Sequence, residues 1–114
     1  MPITTEYHYD LEKIHEEILS DFKNGDVLIH TIYGSYARWV GEPKFDQIFY
    51  YHESIKNKNQ FFKSIITRYP HGWIVLDQWH GEEYSKPLEF SDFSIGAKNV
   101  KYLGKTKDEH VWRW

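Results

Sequence analysis

The sequence predicts an α+β fold of mixed α/β type, two helices packed on a mixed β-sheet of about four to six strands, in one domain over residues 1–114. Three observations carry that expectation. Two segments repeat apolar residues at three- and four-residue spacing. Several runs rich in β-branched and aromatic residues have the length of strands, and 114 residues suffice for one core but not for two.

The first helix is expected to start at Asp10, whose short carboxylate suits an N-cap, and to run through Leu11, Ile14, Ile18 and Phe22 to a stop at Asn24-Gly25. Its outer face carries Glu12, Glu16, Glu17 and Asp21. Val27 to Tyr33 follows, apolar on both alternating faces, as a strand at the centre of a sheet would be. Gly34-Ser35 breaks it, and Gly41-Glu42-Pro43 marks a loop before a short strand at Ile48-Phe49-Tyr50-Tyr51. The second helix should begin between Ser54 and Asn57 and bury Phe62, Ile65 or Ile66, and Tyr69. It stops before Pro70, because a proline disfavours helical backbone in the residue ahead of it. Trp73 to Trp79 reads as another strand, turned by His80-Gly81, and Leu88–Phe93 and Val100–Leu103 are weaker strand candidates.

Composition narrows the chemistry. The chain has no cysteine, which removes disulfides, thiolate catalysis and thiolate zinc sites and fits a reducing, cytoplasmic setting. The first residues read as no signal peptide, and no apolar run approaches the ~20 residues of a membrane span, so no membrane partner is expected. Net charge is −3, but residues 1–53 hold four Lys or Arg against ten Asp or Glu, while residues 54–114 hold ten against seven. Only Lys56, Lys58, Lys63 and Arg68, or Lys98, Lys101, Lys105 and Lys107, would supply a basic face, and scattered lysines read as a solvated surface. Nucleic acid is therefore not the expected partner.

One segment carries a motif. Ile32-Tyr33-Gly34-Ser35-Tyr36-Ala37-Arg38, with a helix before it, a strand leading into it and Asp46 beyond, resembles the hydrophobic-Gly-Ser signature of minimal nucleotidyltransferases. The resemblance covers about residues 10–80 as a pattern and about six residues as a motif. It implies Gly34 and Ser35 at a nucleotide's phosphates, Asp46 at the first metal-ligand position and Asp77 at the third carboxylate. The family's Asp-x-Asp is broken here, because Asp46-Gln47-Ile48 places an isoleucine in the second position. A hard cation loses an anionic oxygen there, so the resemblance implies a degenerate domain.

Seven histidines offer no metal spacing: His-Glu-x-x-His is absent, and His15-Glu16-Glu17-Ile18-Leu19 ends in leucine. His30, inside an apolar run, reads as a hydrogen-bonded core residue. No nucleophile is placed beside a base, so no catalytic residue and no cofactor or metal is assigned. Aromatic residues make up 18% of the chain, and Trp and Tyr bury their rings while keeping a polar handle. Trp73 and Trp79 fall on one face if their strand is regular, Trp73 being the better core candidate. Trp112 and Trp114, close to the last residue, must either dock back or meet a partner, and Tyr36, Arg38 and Trp39 are of the types enriched at interface hot spots.

The expected function is therefore that of a small non-enzymatic protein-binding domain, of the inhibitor, immunity or anti-defence kind, which covers a basic partner surface. Glu12, Glu16, Glu17 and Asp21 supply charge, and Tyr36, Arg38, Trp39, Trp112 and Trp114 supply contact. The alternative is a nucleotidyltransferase-like domain holding a nucleotide at Gly34-Ser35. The helical spacing itself is testable: Ile18→Ala should cost about 2–5 kcal/mol in urea denaturation, and an unchanged midpoint would remove this face from the core.

Overall fold

A computed structural model describes residues 23–31, 45–90, 99–105 and 109–114. These form β1 (Val27–Thr31), β2 (Gln47–Tyr51), α1 (Lys58–Arg68), β3 (Gly72–Asp77), β4 (Glu82–Glu83), β5 (Lys86–Pro87), β6 (Lys101–Lys105) and β7 (Glu109–Arg113). Five strands make one mixed sheet in the order β2-β1-β3-β7-β6, and β4 and β5 form a separate hairpin. The expected α+β class holds, with one helix among the described residues. The other predicted helix, from Asp10 to Phe22, lies outside them, as do Ile32, Tyr33 and the Gly34-Ser35 break.

Physical chemistry places each element. Asn57 accepts from the Gln60 amide to cap α1, and Phe62, Ile65 and Ile66 turn one stripe inward. The helix ends with the Tyr69 amide bonded to the Ile65 carbonyl, one residue short of Pro70. β1, β2 and β3 run parallel, with Val27 opposite both Gln47 and Gly72, so the β2-α1-β3 connection carries the chain past β1. β7 then adds antiparallel to β3, and β6 antiparallel to β7.

The sheet's α1 side holds the apolar core: Val27, Ile29, Tyr51, Ile74, Leu76, Trp112 and Trp114 with Phe62, Ile65 and Ile66. Tyr51 stacks on Phe62, while Phe90 meets both Phe62 and Trp112 edge to face. The opposite side is buried too, through Leu28, His30, Trp73, Val75, Val111 and Arg113. That is why β1 and β3 carry almost unbroken apolar sequence.

Three expectations change. The middle strand is β3 rather than β1, because the terminal segment, not foreseen as a strand, pairs beyond β3 as β7. Residues 88–90 are not strand, and β6 spans Lys101–Lys105 where Val100–Leu103 was expected. Trp73 and Trp79 do not share a strand face, since β3 ends at Asp77 and Trp79 lies in the turn after it.

Trp112 and Trp114 dock back. Trp112 is 1% exposed and Trp114 8%, so neither is an open contact surface. The Trp114 backbone exchanges both hydrogen bonds with Gly72, and its indole Nε1 donates to the Tyr69 carbonyl at 3.1 Å. Gly72 makes room for that ring: a Cβ there would stand 2.4 Å from Trp114 Cη2 and 2.7 Å from the Val27 carbonyl oxygen. Gly72→Ala should therefore lower stability by about 1–3 kcal/mol in urea denaturation, and an unshifted midpoint would show that the indole does not press on β3.

Candidate binding surface and its charged supports

The two ends of the sheet carry different chemistry. At the amino ends of β1 and β3, the fully buried Asp26 carboxylate collects four donors. The Lys23 amide lies at 2.7 Å, Trp73 Nε1 at 3.0 Å and an Arg113 guanidinium nitrogen at 2.9 Å, and His71 Nδ1 completes the set. Arg113 also donates to the Gly72 carbonyl and stacks over the Trp73 ring, 4.3 Å from its centroid. Burial opposes the charge on Asp26, but the hydrogen bonds from Lys23, Arg113, His71 and Trp73 outweigh it and hold the carboxyl below its ordinary value.

A histidine and a carboxylate approach each other on the buried face opposite α1. His30 Nδ1 donates to the Thr31 carbonyl at 2.6 Å, and its Nε2 stands 3.5 Å from the Glu109 carboxylate. His30 is thus the polar-bonded core histidine its sequence context implied.

At the carboxyl end of β3 the chain is clamped into turns. Asp77 accepts from the His80 amide and His80 Nδ1, both at 2.8 Å, and its own amide donates to Thr31 Oγ1. The Gly81 amide returns to the Asp77 carbonyl, and the Leu88 amide to that of Gly81, which closes the base of the β4–β5 hairpin. Glu82 accepts from Lys105 Nζ at 2.9 Å and from His110 Nε2 at 2.8 Å. With that nitrogen donating, His110 Nδ1 accepts from the Tyr102 hydroxyl at 2.8 Å. Lys105 and then His110 lower the Glu82 carboxyl from its ordinary value, whereas burial and then the Glu82 charge raise the Tyr102 phenol.

From this clamped end two aromatic side chains project. Trp79, between Asp77 and His80, is 80% exposed, and Tyr84 at the hairpin tip is 93% exposed. Tyr84 and Ser85 both take positive φ, 54° and 68°, the backbone that a two-residue hairpin turn requires and that glycine or asparagine usually supplies. The sequence named Trp79 only as a strand residue and did not single out Tyr84. The available signals were the strand's end at the Asp77–His80 clamp and the tight spacing of Glu82-Glu83 and Lys86-Pro87.

Of the nucleotide-site candidates, the two described carboxylates, Asp46 and Asp77, do not converge. Asp46 lies at the amino end of β2, its amide bonded to the Asp26 carbonyl, while Asp77 ends β3. With Gln47 and Gly72 level across β1, about six residues of strand, roughly 20 Å, separate them, too far to share a cation. Gly34, Ser35, Tyr36, Arg38 and Trp39 lie outside the described residues, as do Glu12, Glu16, Glu17 and Asp21. Among the described residues no three His, Asp or Glu side chains group as a metal site, no hydroxyl or amine is hydrogen-bonded to the His80 ring, and no helix is long and apolar enough to cross a membrane. No family model matches the chain, and neither a curated protein nor a solved structure is significantly similar to it.

The Asp26 cluster generates a pH prediction. A carboxyl whose folded pKa lies below its ordinary 3.8 adds stability that is fully present above that value and is lost as pH falls through the lower, folded one. Asp26→Asn should flatten this acid limb. Asp26→Ala should cost about 3–5 kcal/mol near neutral pH, because it leaves Arg113 buried without its carboxylate. Chemical denaturation from neutral to acid pH measures both, and an acid limb unchanged in Asp26→Asn would contradict the assignment.

Proposed function

We propose that the chain is a protein-binding domain whose contact surface centres on Trp79 and Tyr84 at the carboxyl end of β3, and which covers a basic surface on its partner. The observation that carries the reading is that an indole and a phenol project from successive turns, whereas Trp73, Trp112 and Trp114 are buried. Tryptophan and tyrosine are the side chains that most often dominate binding energy, since each brings a large rigid face and a polar tip. An exposed Trp and Tyr add nothing to this protein's own core.

The acidic composition supports a basic partner surface. Six of the seventeen acids fall between Glu6 and Asp21, a density that costs self-repulsion, and Glu83 is exposed beside Tyr84. Such a field speeds encounter with a positive surface and is screened over about 8–10 Å at physiological salt. The aromatics then supply the lasting contact.

The test is the double variant Trp79→Ala/Tyr84→Ala, with the partner obtained by crosslinking in the native host from a photoreactive residue at position 79. The variant should melt like the parent, yet bind the crosslinked protein at least about thirtyfold more weakly, as loss of an interface anchor does. Glu16→Lys/Glu17→Lys should slow association without changing the melt, and added salt should slow the parent in the same way. A double aromatic variant that binds as tightly as the parent would remove this surface from the interface.

A further inference from the structure

Glu82, His110 and Tyr102 form a chain of hydrogen bonds with one polarity. The Glu82 carboxylate takes the proton of His110 Nε2 at 2.8 Å, so Nδ1 carries the lone pair, and the Tyr102 hydroxyl donates to it at 2.8 Å. A hydroxyl, an imidazole and an orienting carboxylate in that order are what turns a weak oxygen nucleophile into a reactive one. His71 and His80 also meet carboxylates, but among the described residues no hydroxyl is bonded to either ring. Sequence alone does not show the relay, since Glu82 and His110 lie 28 residues apart.

An irregularity in β6 brings the three side chains together. Tyr102 stands opposite Trp112, and a regular ladder would set Gly104 opposite His110 and turn Lys105 to the other face. The register shift between Tyr102 and Gly104 sets Lys105 opposite His110 instead, so Tyr102 and Lys105 share its face. Lys105 Nζ then holds Glu82 at 2.9 Å. The imidazole is packed in place: its side chain is 3% exposed, the Trp112 ring lies 5.7 Å away between centroids, and a Cβ on Gly81 would stand 2.9 Å from it. Tyr102, by contrast, is 38% exposed.

We propose that Tyr102, His110 and Glu82 are an acyl-transfer site, at which the Tyr102 oxygen accepts an acyl group from an activated ester and passes it to water. Burial and the Glu82 charge raise the phenol above its ordinary value, so it needs a base, and His110 Nδ1 stands where that base must be. Tyr102 Oη forms a bond to the acyl carbon, its proton goes to His110 Nδ1, and the leaving oxygen departs with that proton. The acyl-tyrosine is itself an aryl ester, with a phenol as leaving group. Water attacks the same carbon and gives its proton to His110, and the Tyr102 oxygen leaves and regains it. Tyr102 and His110 act on the reacting atoms, whereas Glu82 is a positioning residue that sets the imidazole tautomer. The site does not depend on the contact surface at Trp79 and Tyr84.

The probe is p-nitrophenyl acetate with the full chain. Release of p-nitrophenolate should show an initial phase of about one equivalent and then slower turnover, with the acetyl group found on Tyr102 by peptide mass spectrometry. Tyr84 is the reference within the same molecule, since it is 93% exposed and no base is bonded to it among the described residues. Tyr102 should acetylate at least about tenfold faster than Tyr84 despite its lower exposure. His110→Phe should slow Tyr102 at least about a hundredfold and Glu82→Gln at least about tenfold, both leaving the Tyr84 rate unchanged. Tyr102→Phe should abolish the initial phase and leave the background from the lysines. Thermal melts check each fold, and because Glu82 and Tyr102 are not fully buried, their variants remain decisive where His110→Phe disturbs the core. Acetylation no faster at Tyr102 than at Tyr84, a Tyr102 rate indifferent to Glu82→Gln, or an acetyl-Tyr102 that water does not release would overturn the inference.

Discussion

A carboxylate taken wholly out of water must be surrounded by donors, and Asp26 meets that demand with groups drawn from across the chain. Trp73 comes from β3, His71 from just before it and Arg113 from β7, 87 residues away. The Lys23 amide closes the turn at Asn24-Gly25, where Gly25 takes φ 92°. A buried ion pair is no guarantee of net stability, since desolvation offsets most of the attraction. Its consequence here is geometric. The donors reach Asp26 together only when β1, β3 and β7 are adjacent and in their observed register, so alternative pairings would strand a charge in the core.

That lock holds β7 in the sheet. Arg113 is held by Asp26 and by the Trp73 ring, and the residue after it lays its indole over Gly72. Residue alternation along β7 then sends His110 and Trp112 to the α1 face and Glu109, Val111 and Arg113 to the other. Both faces are buried, and polar side chains on them face one another: Asp26 and Arg113, His30 and Glu109, Glu82 and His110. The second cluster ties the β4–β5 hairpin to β6 and β7, so the polar anchoring at one end of the sheet has a counterpart at the other.

Local pattern made much of this fold readable. The Asn57 cap, the spacing of Phe62, Ile65 and Ile66, and Pro70 delimit α1 closely, and the β-branched runs mark β1 and β3. β7 was unreadable because a strand with Glu109, His110 and Arg113 looks half-solvated, while the partners that let those charges be buried lie as far as 28 and 87 residues away. The same blindness made Trp112 and Trp114 look available for contact. The β4–β5 turn carries Tyr84-Ser85 where a hairpin signature expects glycine or asparagine. Of the exposed aromatics, Trp79 was named in the sequence but placed on a strand, since its exposure depends on β3 ending at Asp77, and Tyr84 was not singled out.

Trp79 sits in a turn whose neighbouring residues are held by hydrogen bonds and ring contacts. Asp77 holds the His80 amide and ring, the Gly81 amide returns to the Asp77 carbonyl, and the His80 ring edge rests on Tyr51, itself stacked on α1. Gly81 packs so closely that a Cβ would stand 2.9 Å from the His110 ring. Downstream, Glu82 is tethered to His110 and Lys105, which fixes the base of the hairpin that raises Tyr84. Association costs free energy for every loop and rotamer that must be ordered. Here hydrogen bonds tie down the backbone beside the indole, which lowers that cost. An exposed aromatic on a clamped turn is thus suited to a contact in which burial of the ring outweighs the cost of fixing it, as one on a loose loop is not.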